Sequence, residues 1–505
     1  MRRSAYARRH VRPSDNERPD RGAARVVTLV WFRRDLRLAD NPALVHALAA
    51  GRPIVPCFIL DDADAGDRAP GGASRWWLDG SLAALARDLA ARGSRLVLKR
   101  GPAERVLDAL IAETGASAVV WNRRYEPWAR ARDERVTSRL EARGIEATSC
   151  NAALLREPWT LATRQGEPYR IFTPFRTALR ASFEPTPPMP APDRLPAPRR
   201  WPASETLASL CLLPDKPDWA GGLRAAWSPG ETGARARLDA FLDAALLDYR
   251  ERRDLPGTRG TSRLSPHLHF GEIGPKQIWH AVKTHALAET GDTDPPGAAT
   301  FLSEIAWREF SYHLLHHFPA LPDVPLRAGF EAFPWREDGA GERAWQRGLT
   351  GYPIVDAGMR ELWATGWMHN RVRMIVASFL VKDLLVPWQR GERWFWDTLV
   401  DADLASNAAS WQWVAGCGAD AAPYFRVFNP ALQGAKFDPR GEYVRRWVPE
   451  LAKLRDAQIH APWEAQPIEL AEAGITLGRT YPQRIVDHRL ARQRALDAFA
   501  KHGKT

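Results

Sequence analysis

Residues 26–32 read VVTLVWF and residues 53–60 read PIVPCFIL. Three further runs follow: RLVLK (95–99), AVVWN (118–122) and EATSC (146–150). Short runs of this kind indicate strands that are buried on both faces. Between the runs, residues 78–93 and 102–115 have the spacing of amphipathic helices. This alternation of strand and helix predicts a parallel, doubly wound sheet.

The second half of the chain has a different pattern. Ten prolines between Pro185 and Pro217 exclude a regular helix or a central strand there and predict a linker. Beyond about Gly230 the strand signal nearly vanishes. Helical segments are predicted instead at 231–253, 299–318, 358–385 and 393–416. The sequence therefore predicts an α/β domain joined by a long linker to an all-α domain.

Composition excludes several classes of protein. The chain has 505 residues, 45% hydrophobic and 26% charged, which is typical of a globular protein with more than one domain. Its four cysteines form no CxxC pair, so a disulfide framework or cysteine-built zinc site is excluded, and a reducing, cytoplasmic compartment is expected. No apolar run is long enough to cross a membrane. Residues 1–25 carry eight Arg and three acidic residues without an apolar stretch, and predict a basic, disordered leader.

Arginine and tryptophan are both unusually abundant. The net charge is +11, and only nine of the 71 basic residues are Lys. Arginine binds phosphate with a rigid fork, although a GC-rich gene would produce the same excess. Twelve of the 22 tryptophans lie between Trp307 and Trp463, where an ordinary core would use aliphatic residues and Phe.

Four stretches carry candidate chemistry. Residues 252–273 form a Gly- and Pro-rich loop with hydroxyl side chains before a helix, which favours either a phosphate-binding loop or a plain helix cap. Glu304 and Trp307 share a helical face, as do Asn370 and Met374. Residues 401–413 combine two acids, an Asn and two Trp with small residues. The chain lacks both GxGxxG and GxxxxGK[ST], and its histidines are interpreted as ordinary polar positions.

Six strings in this order resemble the photolyase/cryptochrome family. They are WFRRDLRLADNPAL, GTSRLSPHLHFGEI, EIAWREF, GYPIVDAGMRELWATGWMHNRVRM, SFLVKDLL and SWQWVAGCGADAAPYFRVFNP. The resemblance implies an antenna domain at 26–155, a linker at 156–230 and a helical FAD-binding domain at 231–505. It also implies light-dependent DNA repair, in which reduced FAD splits cyclobutane pyrimidine dimers (CPDs). The alternative within the family is a blue-light photoreceptor that repairs nothing.

The resemblance implies two sets of flavin-related residues. The FAD-binding positions are Tyr249, Thr261, Ser262, Arg263, Leu264, Ser265, Arg373, Asp401, Ala402, Asp403 and Asn407. Asn407 matches the position that faces flavin N5. A relay of Trp411, Trp388 and Trp335 is expected to carry electrons from the surface to the flavin.

The resemblance also implies a lesion pocket and a DNA-binding face. The catalytic positions are Glu304, Trp307, Asn370, Met374, Trp413 and Asn407, of which the two indoles would stack on flipped bases. The DNA-contacting positions are Arg253, Glu304, Trp307, Arg308, Asn370, Arg371 and Gln433, with Lys436 as a further phosphate contact. Asn370 and Met374 resemble CPD photolyases, whereas (6-4) photolyases have a His pair in this pocket.

The antenna chromophore is the part that departs from the best-known pattern. Class I enzymes hold a folate with an Asn-Glu pair, where this chain has Trp128 and Ala129. The strings WREFSYHLLHHFP and SPHLHFGEI resemble the class III branch, which implies methenyltetrahydrofolate in a different orientation. The expected partner is UV-damaged DNA, and the protein is expected to be a monomer that needs neither a metal nor a membrane.

Overall fold

A five-stranded parallel sheet forms the N-terminal part of the protein. The structure is a computed structural model that describes residues 26–184, 186–420 and 426–502. The strands are β1 (Thr28–Phe32), β2 (Ile54–Leu60), β3 (Val97–Arg100), β4 (Ala118–Asn122) and β5 (Glu146–Cys150). Their order is β3-β2-β1-β4-β5, and Thr28 pairs with both Ile54 and Ala118. The predicted strands and doubly wound sheet are confirmed.

Both faces of the sheet are buried along β1, β2 and β4, as the apolar runs predict. The prediction is wrong for β5, an edge strand whose residues are half-buried or exposed. On β1, Leu29 and Trp31 pack into one core, and Val30 and Phe32 pack into the core on the other face. All four side chains are at most 1% exposed. Burial on this scale contributes about 1.5–3 kcal/mol for each large apolar side chain.

Helices cover the sheet and build the rest of the molecule. They are α1 (Pro42–Ala49), α2 (Gly72–Ala90), α3 (Ala103–Thr114), α4 (Pro127–Glu141), α5 (Phe172–Ser182), α6 (Gly221–Ala226), α7 (Glu231–Ala245), α8 (Tyr249–Arg252), α9 (Ser265–His269), α10 (Pro275–Thr290), α11 (Pro296–His317), α12 (Gly339–Gln346), α13 (Pro353–Thr365), α14 (Asn370–Ser378), α15 (Trp388–Thr398), α16 (Leu404–Ala415), α17 (Pro430–Phe437), α18 (Glu442–Trp447), α19 (Pro467–Glu472) and α20 (His488–His502). A π-helical turn, Phe379–Asp383, extends α14. None of the described helices is long and apolar enough to cross a membrane.

The predicted helix at 358–385 is wrong as a single element. Gly366 adopts a left-handed conformation with φ of 67° and donates its N–H to the Leu362 carbonyl, which ends α13. The chain then turns before α14 begins at Asn370. The predicted segment 393–416 is similarly divided, because Asp403 caps a new helix by accepting from the Ser406 N–H at 2.9 Å. These two breaks place Asn370 and Asp403 at helix starts.

The proline-rich segment lies between the two parts. Its described residues between 186 and 217 form no α-helix or strand, but α5 and α6 lie inside the predicted linker range of 156–230. Helix α5 packs on α11, where Phe172 stacks on Trp307. The predicted leader, residues 1–25, lies outside the described residues. The exact domain boundaries stay predictions.

Candidate active site

A cavity of about 660 Å³ opens among α8, α9, α11, α14, α15 and α16. Its volume is in the range of sites that hold an organic cofactor or ligand. Aromatic and aliphatic side chains form much of its wall, and a few charged and amide groups interrupt them. A cavity of this kind suits a large, partly planar ligand.

Most of the predicted site residues line this one cavity. They are Tyr249, Arg253, Ser262, Leu264, Ser265, Glu304, Trp307, Arg308, Asn370, Arg373, Met374, Asp401, Asp403, Asn407, Trp411 and Trp413. They come from sequence positions up to 164 residues apart. The residues assigned to the flavin and those assigned to the lesion therefore share one space.

The remaining predicted residues do not line the cavity. These are Thr261, Arg263, Trp335, Arg371, Trp388, Ala402 and Gln433. The guanidinium of Arg263 lies between the rings of Trp227 and Trp367, at 4.5 and 4.7 Å. Arg371 pairs with Asp254 at 2.8 Å.

Helix α14 positions one wall. Its cap, His369, accepts from the Arg371 N–H at 3.2 Å, which fixes where the helix starts. Asn370 and Met374 are one turn apart and both line the cavity, as their spacing predicts. Arg373 donates twice from one nitrogen to Asp401, at 2.8 and 3.0 Å, so that a paired charge borders the cavity.

Asp403 is the most strongly held carboxylate of the cavity. It accepts a hydrogen bond from the Tyr312 hydroxyl, and His269 lies 3.8 Å away. Burial opposes its charge, but the neighbouring His269 ring and the charge of Arg308 outweigh burial and lower the pKa of Asp403 below its usual value. Asp403 is therefore ionised at neutral pH.

Asn407 has a fixed orientation. Its amide nitrogen donates to the backbone carbonyl of Glu392 at 3.0 Å and to the Glu392 carboxylate at 2.9 Å. Among the described residues, none donates to the Asn407 Oδ1. Because Asn407 lines the cavity, this oxygen is the atom that it offers to a ligand.

Helix α11 supplies the other wall. Glu304 and Trp307 lie on one face and both border the cavity, as predicted. Arg253 donates to the Glu304 carboxylate at 2.5 Å. Phe172 lies flat against Trp307, with ring centroids 3.7 Å apart and an angle of 10° between the rings. One face of the indole is therefore already covered by the protein.

Tryptophans extend from the cavity into the core. Trp411 lines the cavity, is 2% exposed and packs against Phe395 and Trp345, with centroid distances of 5.0 and 6.3 Å. Trp388 is buried, whereas Trp335 is only partly buried and contacts Phe333 at 4.5 Å. The relay of Trp411, Trp388 and Trp335 stays a prediction.

The cavity fits a flavin dinucleotide. Its volume, its aromatic walls, the Arg373–Asp401 pair and the carboxamide of Asn407 match the size, planarity and hydrogen-bonding edge of such a cofactor. Among residues 26–184, 186–420 and 426–502, no cluster of three His, Cys, Asp or Glu side chains is arranged to hold a metal.

Several contributors were not predicted from the sequence. Tyr312 follows Arg308 at helical spacing, and this pattern was a usable signal. No local signal pointed to Phe172, Glu392 or Arg68, because each contacts its partner across more than 10 positions of sequence. The partner of Arg68 is Glu392.

The comparisons with known proteins agree with this geometry. Residues 28–193 match the family model for DNA photolyase, and residues 301–501 match the model for the FAD binding domain of DNA photolyase. The chain is 55% identical to a deoxyribodipyrimidine photo-lyase of Agrobacterium fabrum, over 94% of this chain and 98% of that protein. It is 40% identical to cryptochrome-1 of Arabidopsis thaliana, over 94% of this chain and 70% of that one.

A solved structure is also similar. A bacterial class III photolyase from Agrobacterium tumefaciens superposes with a TM-score of 0.92 and 53% identity, over 97% of this chain and 100% of that one. Identity at this level over nearly the full length of both chains is far beyond what a shared fold alone requires. The chain belongs to the photolyase/cryptochrome family.

Proposed function

We propose that the protein is a light-dependent DNA repair enzyme, a deoxyribodipyrimidine photolyase of the class III type that splits CPDs. The observation that carries this proposal is the shared cavity. The side chains assigned to the lesion, among them Glu304, Trp307 and Met374, line the same space as Asp401 and Asn407, which are assigned to the flavin. A photoreceptor would not require the first group.

Bound FAD in its reduced form supplies one electron to the lesion after absorbing blue light. The protein's residues bind and orient. Trp307 and Trp413 offer aromatic surfaces on which the extruded pyrimidines stack. Glu304 and Asn370 border the same space and provide hydrogen-bonding groups for the polar edges of the bases. For Glu304 to stabilise the negative charge that develops on the lesion, its carboxyl group must donate a hydrogen bond and therefore be protonated, because the carboxylate that pairs with Arg253 only accepts.

Bases outside the cavity require a second set of contacts. Arg253, Arg371 and Gln433 are proposed to contact the strand, with Arg371 stacked 4.4 Å above Phe437 on α17. Arg308 lies mostly inside the protein and donates to the Ala153 carbonyl at 2.7 Å. Its proposed DNA contact requires the side chain to leave this internal bond.

The antenna is proposed to be methenyltetrahydrofolate, held outside the class I folate site. Ala129 is fully buried and Trp128 packs against the core of the helical part. Neither side chain offers the hydrogen bonds of the Asn-Glu pair that it replaces. Denaturing the purified protein and measuring the absorbance of the released chromophores identifies the folate, and a different released antenna would refute this part of the proposal.

The deciding experiment is repair of an oligonucleotide that carries one thymine CPD. The reduced, FAD-loaded protein is incubated with it under blue light and, in parallel, in the dark. Light-dependent recovery of thymine absorbance is expected. Absence of repair by protein that binds FAD would overturn the proposal and favour the photoreceptor alternative.

A further inference from the structure

An arginine of the sheet domain reaches a buried carboxylate of the helical domain. Arg68, in the turn before α2, donates to Glu392 of α15 at 2.6 Å. Its other nitrogen contacts Asp323 at 2.8 Å and the Pro322 carbonyl at 3.1 Å. The Glu392 side chain is completely buried, whereas that of Asp323 is 64% exposed.

The same carboxylate holds the residue that faces the flavin. The Oε2 atom of Glu392 accepts from Arg68, and its Oε1 atom accepts from the Asn407 amide nitrogen at 2.9 Å. Three side chains therefore form a continuous chain from the domain interface to the cavity. An ionised Glu392 can only accept, so it requires that Asn407 present its nitrogen to it and its oxygen to the cavity.

The charge of Glu392 depends on this contact. Burial raises the pKa of Glu392 above its usual value, and the charge and hydrogen bond of Arg68 are the largest effects that oppose burial. The other groups that face it are the amide of Asn407, which also favours the ionised form, and the carboxylate of Asp323, which disfavours it. Arg68 is the cation among them.

We propose that Arg68 is a positioning residue that keeps Glu392 ionised and thereby holds the Asn407 oxygen toward flavin N5. The inference rests on the proposed flavin site. A carbonyl oxygen at this position accepts a hydrogen bond from N5–H and so favours the reduced form of the cofactor, which carries that proton.

Loss of Arg68 weakens the hold on the Asn407 amide. Without the cation, Glu392 takes up a proton from solvent and its hydroxyl becomes a donor. When that proton lies on Oε1, a donor replaces an acceptor beside the Asn407 nitrogen, and only the Glu392 backbone carbonyl, at 3.0 Å, still holds the amide in place. The amide then loses part of its preference for presenting its oxygen to the cavity, and some molecules present the nitrogen instead. A donor facing N5 disfavours the protonated, reduced flavin.

The test compares Arg68→Gln with the unaltered FAD-loaded protein, without DNA. The equilibrium constant for two-electron reduction is expected to fall about tenfold, which is about 30 mV in midpoint potential. The infrared spectrum is expected to gain the carbonyl band of a protonated carboxyl group at pH 7. Arg68→Lys, which keeps the charge, is expected to restore most of the potential and to remove the band.

Two further variants separate charge from domain packing. In a Glu392→Gln background, Arg68→Gln is expected to add no carboxyl band and no further change in potential. Asp397→Ala removes another contact of the same interface, the 2.9 Å bond from the Gly72 N–H, and leaves Glu392 untouched. An equal shift in Asp397→Ala, or an unchanged potential in Arg68→Gln, would overturn the proposal.

The readouts are independent of repair. A protein that shows the potential shift but repairs no CPD would refute the photolyase function and leave the role of Arg68 standing. A protein that repairs CPDs but shows no potential shift would refute the role of Arg68 and leave the photolyase function standing.

Discussion

At the scale of single residues, Glu304 is proposed to contribute to the repair reaction rather than to the binding of FAD or DNA. Its carboxylate borders the cavity beside Trp307 and already has a cationic partner in Arg253. The large contact area for a flipped base comes from the indoles rather than from this side chain. Charge stabilisation on the lesion, by contrast, depends on the polar groups.

Glu304→Ala is expected to retain FAD and DNA binding and to lower the quantum yield of repair severalfold. The measurement is CPD repair per absorbed photon in the chemically reduced protein. Glu304→Gln, which keeps a hydrogen-bonding group of similar size, is the matched control and is expected to lose less. An unchanged yield in Glu304→Ala would contradict the assigned role.

His313 is a single residue that makes the stability of the folded protein depend on pH. Its Nε2 accepts from the Tyr169 N–H at 3.0 Å, so the neutral ring is the form that fits. Burial, reinforced by the neighbouring His317, lowers the pKa of His313 to about 4. The unfolded chain takes up a proton near pH 6.5, whereas the folded protein does not, so stability falls as pH decreases from 6.5 towards 4.

His313→Gln is expected to reduce this loss. Each pH unit in the window costs about 1.4 kcal/mol for one such group, and a glutamine that cannot ionise removes that contribution. Urea unfolding at pH 5 and pH 7.5 measures the difference for both proteins. If the two proteins lose the same stability at pH 5, His313 is not the responsible group.

At the scale of elements, Gly366 decides where α13 ends. An added Cβ there would lie 2.7 Å from Val400 Cγ1, and the backbone has a φ of 67°. Gly366→Ala therefore combines left-handed strain with a steric clash, and is expected to lower the free energy of unfolding by about 2–4 kcal/mol. Unfolding in urea gives the value.

Gly115 is the matched control for this prediction. It has a φ of 68° at the end of α3, and an added Cβ would meet no atom within 4 Å. Gly115→Ala is expected to cost only the left-handed strain, about 1 kcal/mol. Equal effects in the two variants would show that the contact with Val400 is unimportant.

Photoreduction tests the proposed relay of Trp411, Trp388 and Trp335. Trp335→Phe is expected to slow flavin photoreduction at least tenfold and to spare repair after chemical reduction, because phenylalanine is much harder to oxidise than indole. Trp363→Phe, at a 63% exposed indole stacked on Trp394, is the control. Photoreduction that survives in Trp335→Phe would direct attention to Trp345, which contacts Trp411.

The sequence predicts the features that depend on local patterns. Strands β1, β2 and β4 are apolar runs that need no distant information, and Glu304 and Trp307 follow from helical spacing. The long helix predicted at 358–385 fails because a single glycine, ordinary within a helical pattern, adopts a left-handed conformation. The Arg68–Glu392 pair joins residues 324 positions apart, and no local pattern predicts such a contact.

At the scale of the whole molecule, the net charge of +11 and the proposed strand contacts predict salt-dependent binding to DNA. Lys436 is exposed on α17, beside Gln433 and near Arg371 through Phe437. A phosphate contact at Lys436 adds one displaced counterion. The affinity then depends more steeply on salt.

Lys436→Gln is expected to weaken DNA binding and to reduce the slope of log K against log salt by about 1. Titration of a CPD-containing duplex at several salt concentrations measures the slope. Arg139→Gln, on the exposed side of α4 in the sheet domain, is the matched control. The same change of slope in both variants would mean that the effect is general charge rather than a local contact.

The Phe172–Trp307 stack leaves only one face of the Trp307 indole open to the cavity. Because Phe172 covers one face of the indole, a base can approach Trp307 only from the other face. The two pyrimidines of a dimer are not interchangeable, since one lies 5′ of the other along the strand. Under the proposed stacking on Trp307, we therefore expect the cavity to accept the two pyrimidines in a single order, and so to distinguish the polarity of the damaged strand.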